Sequence, residues 1–247
     1  MKYLAYCILS SCDAREAPRP NGLDGNPITV IEAAGLAVAC SPAPGRPAEP
    51  PVSDLLAYAA VIDRMHQACP VLPLRFGSLL EGTEEMEQVL RRRHDEFAQA
   101  LAEVGRCVEM GLRALADEEP IPVERETVPH DIAGEPAPQA LPESGAGVAY
   151  LRRRREAFAI KDQQQQARQS LAEAVRQAFA GLFVCWTSEV AEGEPRLTSF
   201  HFLVRRADVE PFRGAFRRLQ KTCSARLLLT GPWPPYNFVN SGKRRNE

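Results

Sequence analysis

Two histidines have neighbours whose side chains could complete a metal site. His66 and Cys69 are three residues apart, a spacing that metal ligands use on a helix, and His94 is followed directly by Asp95 and Glu96. A structural zinc site needs about four ligands, but no second ligand pair stands near either histidine in sequence. The HExxH arrangement is also absent, because no second histidine follows one helical turn later. We therefore expect His66 to be a structural histidine near a helix end and His94 to lie on a solvated helix face.

Other patterns that support catalysis or cofactor binding are weak in this sequence. The segment Gly145-Ala146-Gly147 could open an anion-binding helix N-terminus, but no Lys-Ser/Thr follows it and no strand closely precedes it. The Gly-x-Ser-x-Gly elbow of serine hydrolases is missing, and nothing pairs a cysteine or serine with an orienting histidine. We predict that the protein is not an enzyme and has no catalytic, cofactor-binding or metal-binding residues.

A basic run raises the possibility of nucleic-acid binding. Residues 152–155 are four consecutive arginines, and a predicted strand pair carries Phe183, Phe200 and Phe202. Some sheets of this kind bind RNA through aromatic side chains on an open face. The Gly-Phe-aromatic signature of the RNA-recognition module is absent, so we favour burial of these phenylalanines. A basic nucleic-acid-binding module remains the alternative function.

Two proline-containing segments combine apolar residues in a way that favours contact surfaces. In residues 72–77 a proline interrupts a strand pattern, and an arginine among apolar neighbours would need an acceptor if it were buried. In residues 230–238 three prolines hold the chain extended and present aromatic anchors, for which we favour docking on the N-terminal domain over a partner protein. The candidate interface residues, interdomain or partner, are Leu72, Arg75, Phe76, Arg152, Arg153, Arg154, Arg155, Trp233, Tyr236 and Phe238.

The charge distribution divides the chain into an acidic and a basic part. Residues 1–144 contain 12 Lys and Arg against 23 Asp and Glu, whereas residues 145–247 contain 18 against 9. Opposite charges on one short chain attract, so we favour contact between the two parts over an external acidic partner. The hydrophobic content of 45% is enough for a core. No apolar run approaches the ~18 residues of a membrane span.

Cysteine usage predicts a reduced, cytoplasmic protein. The seven cysteines are scattered and include no CxxC pair, which is typical of buried thiols rather than of disulfides or a zinc cage. The segment before Cys12 resembles a lipoprotein cleavage box but is shorter than the ~15–30 residues of a secretory signal. Both alternating sets of positions in Tyr3–Leu9 are apolar, which indicates a central strand buried on both faces.

Hydrophobic periodicity predicts an α+β fold of two small domains. The first, an α+β domain over residues 1–104, has strands at Tyr3–Leu9, Pro27–Ala33, Leu36–Cys40 and Val71–Phe76, a helix over Ser53–Ala68 capped by Ser53, and a helix from Thr83 to Gly105. The pair Pro27–Ala33 and Leu36–Cys40 is predicted to form a hairpin. Five prolines within residues 42–51 predict a stiff loop.

The second predicted domain is ferredoxin-like and covers residues 105–231. Its βαββαβ order consists of strands at Cys107–Leu115, Leu182–Val190, Leu197–Val204 and Ala225–Thr230, a long helix over Gly147–Ala180 and a short helix capped by Asp208. A proline- and acid-rich insert occupies residues 117–143, and residues 232–247 form a C-terminal tail.

Four sequence blocks, taken in order, resemble one known family. They are Tyr3-Leu4-Ala5-Tyr6-Cys7-Ile8, Pro70-Val71-Leu72-Pro73-Leu74-Arg75-Phe76-Gly77, Ala149-Tyr150-Leu151 with its arginine run, and Thr230-Gly231-Pro232-Trp233-Pro234-Pro235-Tyr236-Asn237-Phe238. The chain resembles the gas vesicle protein family GvpL/GvpF essentially end to end. The last block is the most specific, and the insert at residues 117–143 matches no motif.

The resemblance implies a non-enzymatic accessory protein of gas vesicle formation in a vesicle-forming prokaryote. Such proteins are minor vesicle-associated components, found at the gas vesicle and in the cytoplasm, that engage a small, very hydrophobic shell protein before or during assembly. A shell subunit with a large apolar face must be shielded in water, and its binder needs an apolar or strand-edge surface rather than catalytic chemistry. The implied partners are the shell protein and other gas vesicle accessory proteins, with no cofactor, nucleic acid or membrane.

Overall fold

The first antiparallel sheet is built around a strand that is apolar on both faces. The computed structural model describes residues 1–43, 50–116, 145–191 and 193–239, together with the side chains of most of them. The strands of this sheet are β1 (Tyr3–Ser10), β2 (Thr29–Ala33), β3 (Leu36–Pro42), β4 (Leu72–Pro73) and β5 (Leu79–Leu80). The order is β2-β3-β1-β4, and β5 also pairs with β1. Six of the eight β1 residues are buried, which confirms the predicted central strand.

The hairpin predicted from the β-branched run is also confirmed, since β2 and β3 pair antiparallel. The strand predicted over Val71–Phe76 is shorter than expected, because only β4 pairs there with β1. Pro73 has no N–H to extend that ladder, and Gly77 turns the chain away with a φ of +87°.

Helices flank this sheet, and two of their predicted features are corrected. They are α1 (Ser11–Glu16), α2 (Val52–Ala68), α3 (Thr83–Arg92) and α4 (His94–Val104). Ser53 does not cap α2, because the helix begins one residue earlier and the carbonyl of Pro51 accepts the backbone N–H groups of Asp54 and Leu55. The single helix predicted up to Gly105 is divided at Arg93, whose φ of −109° and ψ of 24° are not helical.

The second sheet is antiparallel throughout and carries helices on one face. Its strands are β6 (Cys107–Leu115), β7 (Cys185–Ala191), β8 (Glu194–Arg205) and β9 (Arg226–Trp233), and its helices are α5 (Gly145–Ala178) and α6 (Val209–Thr222). The strand order is β7-β8-β6-β9, so β7 and β9 are the edges. The α+β class and the βαββαβ element order are confirmed, whereas the ferredoxin-like assignment stays a prediction. The strand β9 extends two residues into the predicted tail.

A cluster of buried residues joins the two sheets. We call it the junction core; it contains Ala5, Ile8, Leu36, Val38, Leu72, Phe97 and Val104 from the first part and Cys107, Cys185, Leu203 and Phe238 from the second. A separate cluster lies between the first sheet and α2, and another lies between the second sheet and its helices α5 and α6. The two sheets therefore share one continuous apolar contact.

Several sequence predictions fall outside the described residues. The insert at residues 117–143 is among them, as are the side chains of Arg152 and Arg153 and most of the predicted stiff loop. Within the part of the chain that the structure describes, no helix is both long and apolar enough to cross a membrane.

Candidate functional site

The segment that follows β9 crosses from the second sheet to the first. We call residues 234–239 the strap. Its two prolines are buried, a short 3-10 turn spans Tyr236–Phe238, and the Phe238 ring is only 1% exposed within the junction core. Burial, followed by the nearby carboxylate of Asp63 on α2, raises the pKa of Tyr236 to about 12. The strap therefore contacts residues of both sheets.

A buried carboxylate fixes the strap to the second sheet. Glu109 on β6 is only 4% exposed. Its Oε2 accepts the backbone N–H of Asn237 at 2.9 Å, and its Oε1 accepts the side-chain amide of Asn237 at 2.7 Å. Hydrogen bonds to an ionised acceptor are about twice as strong as those between neutral groups. Loss of the strap would leave this carboxylate buried and short of donors, so Glu109 favours the docked position.

A histidine completes the polar contacts around Glu109. The Nδ1 of His201 on β8 lies 2.9 Å from Oε1 of Glu109, and its Nε2 lies 3.5 Å from Oε1 of Glu189 on β7. Burial acts to lower the pKa of His201, but the hydrogen bond and charge of Glu109, together with Glu189, outweigh it and raise that pKa. Glu109, His201 and Asn237 thus join β6, β8 and the strap in one hydrogen-bonded group, and Glu189 on β7 lies within ion-pair distance of it.

A second polar contact between the two parts involves His66. The guanidinium of Arg206, just before α6, donates to the backbone carbonyl of His66 on α2. The His66 side chain is buried, and neither ring nitrogen has a hydrogen-bond partner within the described residues. Burial and the positive charge of Arg206 lower the pKa of His66 from 6.5 to about 4. His66 is thus a neutral structural histidine at neutral pH.

His66 makes the stability of the fold depend on pH, and its lowered pKa sets the direction of that dependence. A group with a lowered pKa in the folded state stabilises the fold above its unfolded pKa, and that stability is lost as the pH falls towards the folded pKa. In wild type, we expect the free energy of unfolding to fall by up to about 3 kcal/mol because of His66 as the pH drops from 6.5 to 4. The variant His66→Leu should lack this fall. Urea unfolding of wild type and variant at several pH values measures the difference.

The control for this prediction is His201, whose pKa is shifted the other way. Its stabilising contribution is complete below its unfolded pKa and is lost as the pH rises through the raised folded pKa. The variant His201→Asn should therefore change the dependence of the free energy of unfolding on pH at higher pH than His66→Leu does. Parallel profiles for His66→Leu and wild type would contradict the assignment for His66.

The structure buries two of the predicted interface residues and half-buries a third. Leu72 on β4 and Phe238 in the strap both lie in the junction core, fully buried. Phe76 lies elsewhere, against the α2 side of the first sheet, with its ring edge-on to Tyr58 at 5.2 Å between centroids. The Tyr58 hydroxyl lies within hydrogen-bond distance of several main-chain carbonyls, including that of Arg75 at 3.1 Å, and donates its one hydrogen among them. Phe76 and the main chain at Arg75 therefore pack around Tyr58 in the core of the first sheet.

The remaining predicted interface residues with described side chains lie on the surface. Arg75 is exposed, so its side chain does not require a buried acceptor. Trp233 is 48% exposed and Tyr236 is 39% exposed, so Phe238 is the one buried ring among the three aromatic residues of this segment. Arg154 and Arg155 are exposed on α5.

The exposed aromatic residue Trp233 belongs to a surface that the sequence did not indicate. Residues directly opposite each other on paired strands share a face of the sheet. Leu228, Thr230 and Trp233 on β9 pair with Arg113, Gly111 and Glu109 on β6, which alternate along that strand and so point to one side. The other side carries α5 and α6. We call Leu228, Thr230 and Trp233 the β9 surface.

The β9 surface combines exposed apolar side chains with an open strand edge. Leu228 is 57% exposed, and β9 pairs only with β6 among the described strands. Sequence periodicity predicted a strand here but could not show that it is an edge strand, because strand order depends on long-range pairing. Leu228 was missed for that reason.

The aromatic side chains of the strand pair β7–β8 do not form a nucleic-acid platform. Phe200 and Phe202 are fully buried, and Phe202 packs against Phe179 and Phe212 with ring centroids 5.2 and 5.3 Å apart. They face the helices, as the sequence favoured. Base stacking needs exposed aromatics, so Phe200 and Phe202 cannot supply it.

The cysteines are free thiols in the structure. Burial raises the pKa of Cys40 and that of Cys69 to about 11 and raises the pKa of Cys7 further. Because the thiolate is the nucleophile and the metal ligand, these groups are unreactive near neutral pH. Among the described residues, no three His, Cys, Asp or Glu side chains are grouped so that they could hold a metal ion.

Comparisons with known proteins agree across almost the whole chain. A family model described as "Gas vesicle synthesis protein GvpL/GvpF" matches residues 2–240. The chain is 23% identical over 255 residues to Gas vesicle protein L1 of Halobacterium salinarum, covering 96% of this chain and 90% of that protein. It is 26% identical over 220 residues to Gas vesicle protein F of a Streptomyces species, covering 86% of this chain and 88% of that protein.

Two crystal structures share this fold at low sequence identity. GvpF from Microcystis aeruginosa superposes with a TM-score of 0.68 at 13% identity, covering 97% of this chain and 99% of that one. GvpF from Anabaena sp. PCC7120 gives a TM-score of 0.69 at 14% identity, covering 100% and 99%. At this identity the likeness concerns the fold alone.

Proposed function

Because the chain belongs to the GvpL/GvpF family of gas vesicle synthesis proteins, we propose that it is an accessory or minor structural protein of gas vesicle assembly. It binds the hydrophobic shell protein and other vesicle proteins, limits aggregation of the shell protein and aids shell formation. It acts by binding rather than by catalysis, at the gas vesicle and in the cytoplasm.

The β9 surface is the observation that supports this proposal. A binder of a hydrophobic subunit needs exposed apolar side chains, and an open strand edge adds backbone hydrogen bonds that do not depend on the partner's side chains. Leu228 and Trp233 supply the exposed apolar side chains, and the outer edge of β9 supplies the open strand edge. An extended segment of the shell protein added beside β9 would be shielded from water along one side.

The opposite edge of the same sheet is a poorer docking strand. The exposed part of β7 presents Ser188 and Glu189 before Val190, and charged or polar side chains on an edge discourage strand addition. On β9 three consecutive leucines precede Thr230, and only Pro232 lacks an N–H. The proposal therefore places the shell protein on β9.

Co-expression with the shell protein tests the proposal. We expect wild type to increase the soluble fraction of the shell protein several-fold and to co-purify with it. The double variant Leu228→Ser/Trp233→Ser should lose at least about tenfold in captured shell protein, because it removes two apolar contacts worth roughly 1–2 kcal/mol each. Soluble shell protein and the eluted complex are measured by quantitative gel analysis.

The matched control is Val190→Ser, which changes an apolar residue of 41% exposure on the opposite edge. This variant should capture the shell protein as wild type does. Unfolding midpoints of all variants are measured first; each altered side chain is about half exposed, so we expect the fold to stay intact. Equal capture by the β9 double variant and wild type would refute the assigned surface, and a lack of capture by wild type would refute the function.

A further inference from the structure

The end of α6 carries basic residues in a stretch of sequence that has no acidic residue. Residues 211–246 contain eight Lys and Arg and no Asp or Glu. Arg217, Arg218 and Lys221 lie in the last two turns of α6, and all three are exposed. We call these three residues the α6 cluster. Arg226, the first residue of β9, follows a few residues later.

The carboxylates on α6 and beside it are paired with other arginines. The pairs are Glu210 with Arg213 on α6, Asp208 with Arg205 just before it, and Glu173 with Arg176 on the neighbouring helix α5. Within the part of the chain that the structure describes, no carboxylate forms an ion pair with the α6 cluster. The positive charge of the cluster is therefore not neutralised by these residues.

The chain enters a strongly acidic segment at the same end of the second sheet. The insert, residues 117–143, contains eight Asp and Glu and one Arg. It follows β6, whose last residue Leu115 pairs with Arg226. Lys221 is five residues before Arg226, so their Cα atoms are at most about 18 Å apart. The insert therefore begins within reach of the α6 cluster.

Charge also favours one side of this sheet end over the other. β6 lies between β8 and β9. On the β8 side, the hairpin of β7 and β8 carries exposed Glu189, and its Glu194 is paired with Arg196. On the β9 side are Arg226 and the α6 cluster. Because like charges repel and opposite charges attract, an acidic segment that leaves β6 is favoured on the β9 side.

We propose that the acidic insert docks on the α6 cluster of its own chain. Carboxylates within residues 117–126 pair with the guanidinium groups of Arg217 and Arg218 and with the ammonium group of Lys221. Arginine suits this role because its planar group binds a carboxylate through two hydrogen bonds. The contact joins two parts of one chain, so it needs no partner protein and does not depend on the proposed function.

Attachment to the same chain favours the insert over other acidic occupants. A tethered segment has an effective concentration in the millimolar range. Exposed ion pairs are individually weak, so a separate acidic protein would have to exceed that concentration to replace the insert. A second copy offers the same carboxylates at a much lower concentration. A nucleic acid would also have to approach a chain with a net charge of −2.

Zero-length carbodiimide coupling tests this contact, because the reagent joins an amine to a carboxylate that already touches it. The chain has four lysines, Lys2, Lys161, Lys221 and Lys243. We expect full-length protein at low micromolar concentration to join Lys221 to a carboxylate within residues 117–126, as identified by mass spectrometry of the digest. Lys2 is the positive control, since its Nζ lies 3.2 Å from Oε1 of Glu81.

Charge reversal separates an ionic contact from mere proximity. Arg217→Glu/Arg218→Glu should lower the yield of the Lys221 product at least about fivefold relative to the Lys2 product, because repulsion replaces attraction. The matched control is Arg154→Glu/Arg155→Glu, which reverses two adjacent exposed arginines of α5 and should change that yield less than about twofold. All four side chains are exposed, so circular dichroism should show an unchanged fold.

Four results of the coupling experiment would each overturn the proposal. They are no Lys221 product, an unchanged yield in the α6 variant, an equal loss in the α5 control, and equal coupling of Lys161 to residues 117–126. A mixture of ¹⁵N-labelled and unlabelled protein adds a further check, since products that join the two isotopes would assign the contact to a second copy. Loss of the Lys221 product on adding an equimolar 21-nucleotide RNA would assign the cluster to a nucleic acid.

Discussion

Replacing Phe238 by alanine is expected to lower the free energy of unfolding by about 3–5 kcal/mol, the usual cost of truncating a buried phenylalanine. The ring is 1% exposed and packs in the junction core with residues of both sheets. Truncation leaves a cavity there that the two rigid sheets cannot fully close. Urea unfolding followed by tryptophan fluorescence measures the loss.

The control variant Phe158→Ala removes the same atoms from a ring that is 55% exposed. It should cost less than about 1 kcal/mol, as surface substitutions usually do. If both variants lost the same stability, Phe238 would not hold the two parts together. In that case the strap would be a surface segment.

The second large effect is expected at Gly231, where β9 approaches the main chain of β6. Its φ is +100°, and an added Cβ would lie 2.6 Å from the carbonyl oxygen of Glu109. A left-handed conformation costs an alanine about 1–2 kcal/mol, and overpacking against fixed backbone adds about 1–3 kcal/mol. We expect Gly231→Ala to lower the free energy of unfolding by about 3 kcal/mol and to reduce capture of the shell protein, because β9 must shift to relieve the contact.

Gly181 provides the matched control, since its φ is +78° and an added Cβ would meet nothing within 4 Å. Gly181→Ala should show only the conformational cost of about 1–2 kcal/mol. The difference between the two variants in free energy of unfolding measures the cost of the close approach of β9 to β6. Identical losses would mean that β9 can move away from Glu109 without cost.

The strap and the β9 surface depend on one another through Glu109. This residue pairs across the sheet with Trp233, and its carboxylate accepts both Asn237 donors. The strap therefore continues directly from the last residue of the β9 surface. A partner docked on Trp233 would lie next to the contact that joins the two sheets.

Local sequence patterns predicted most of the elements because their causes are local. The double apolar alternation in β1 predicted burial on both faces, and the β-branched run before Gly35 predicted the hairpin of β2 and β3. The break at Arg93 was missed, since neither proline nor glycine marks it. On either side of this break, α3 and α4 each contribute buried apolar residues to the junction core.

The candidate site was harder to predict because burial there depends on strand order. Trp233, Tyr236 and Phe238 are equivalent in the sequence as aromatic anchors among prolines, yet only Phe238 enters the junction core. Glu109 and Asn237 carried no signal, since a buried carboxylate is recognised only by the distant donors that surround it. Leu228 was not singled out, because the sequence does not show that β9 is an edge strand.

Hydrogen–deuterium exchange of the β9 amides tests the central claim most directly. It is measured on the protein alone and on the complex co-purified with the shell protein. The account predicts slower exchange in Arg226–Trp233 of the complex, with unchanged exchange in Cys185–Ala191 on the opposite edge. Unchanged exchange in β9, or protection confined to β7 or to α5, would contradict it.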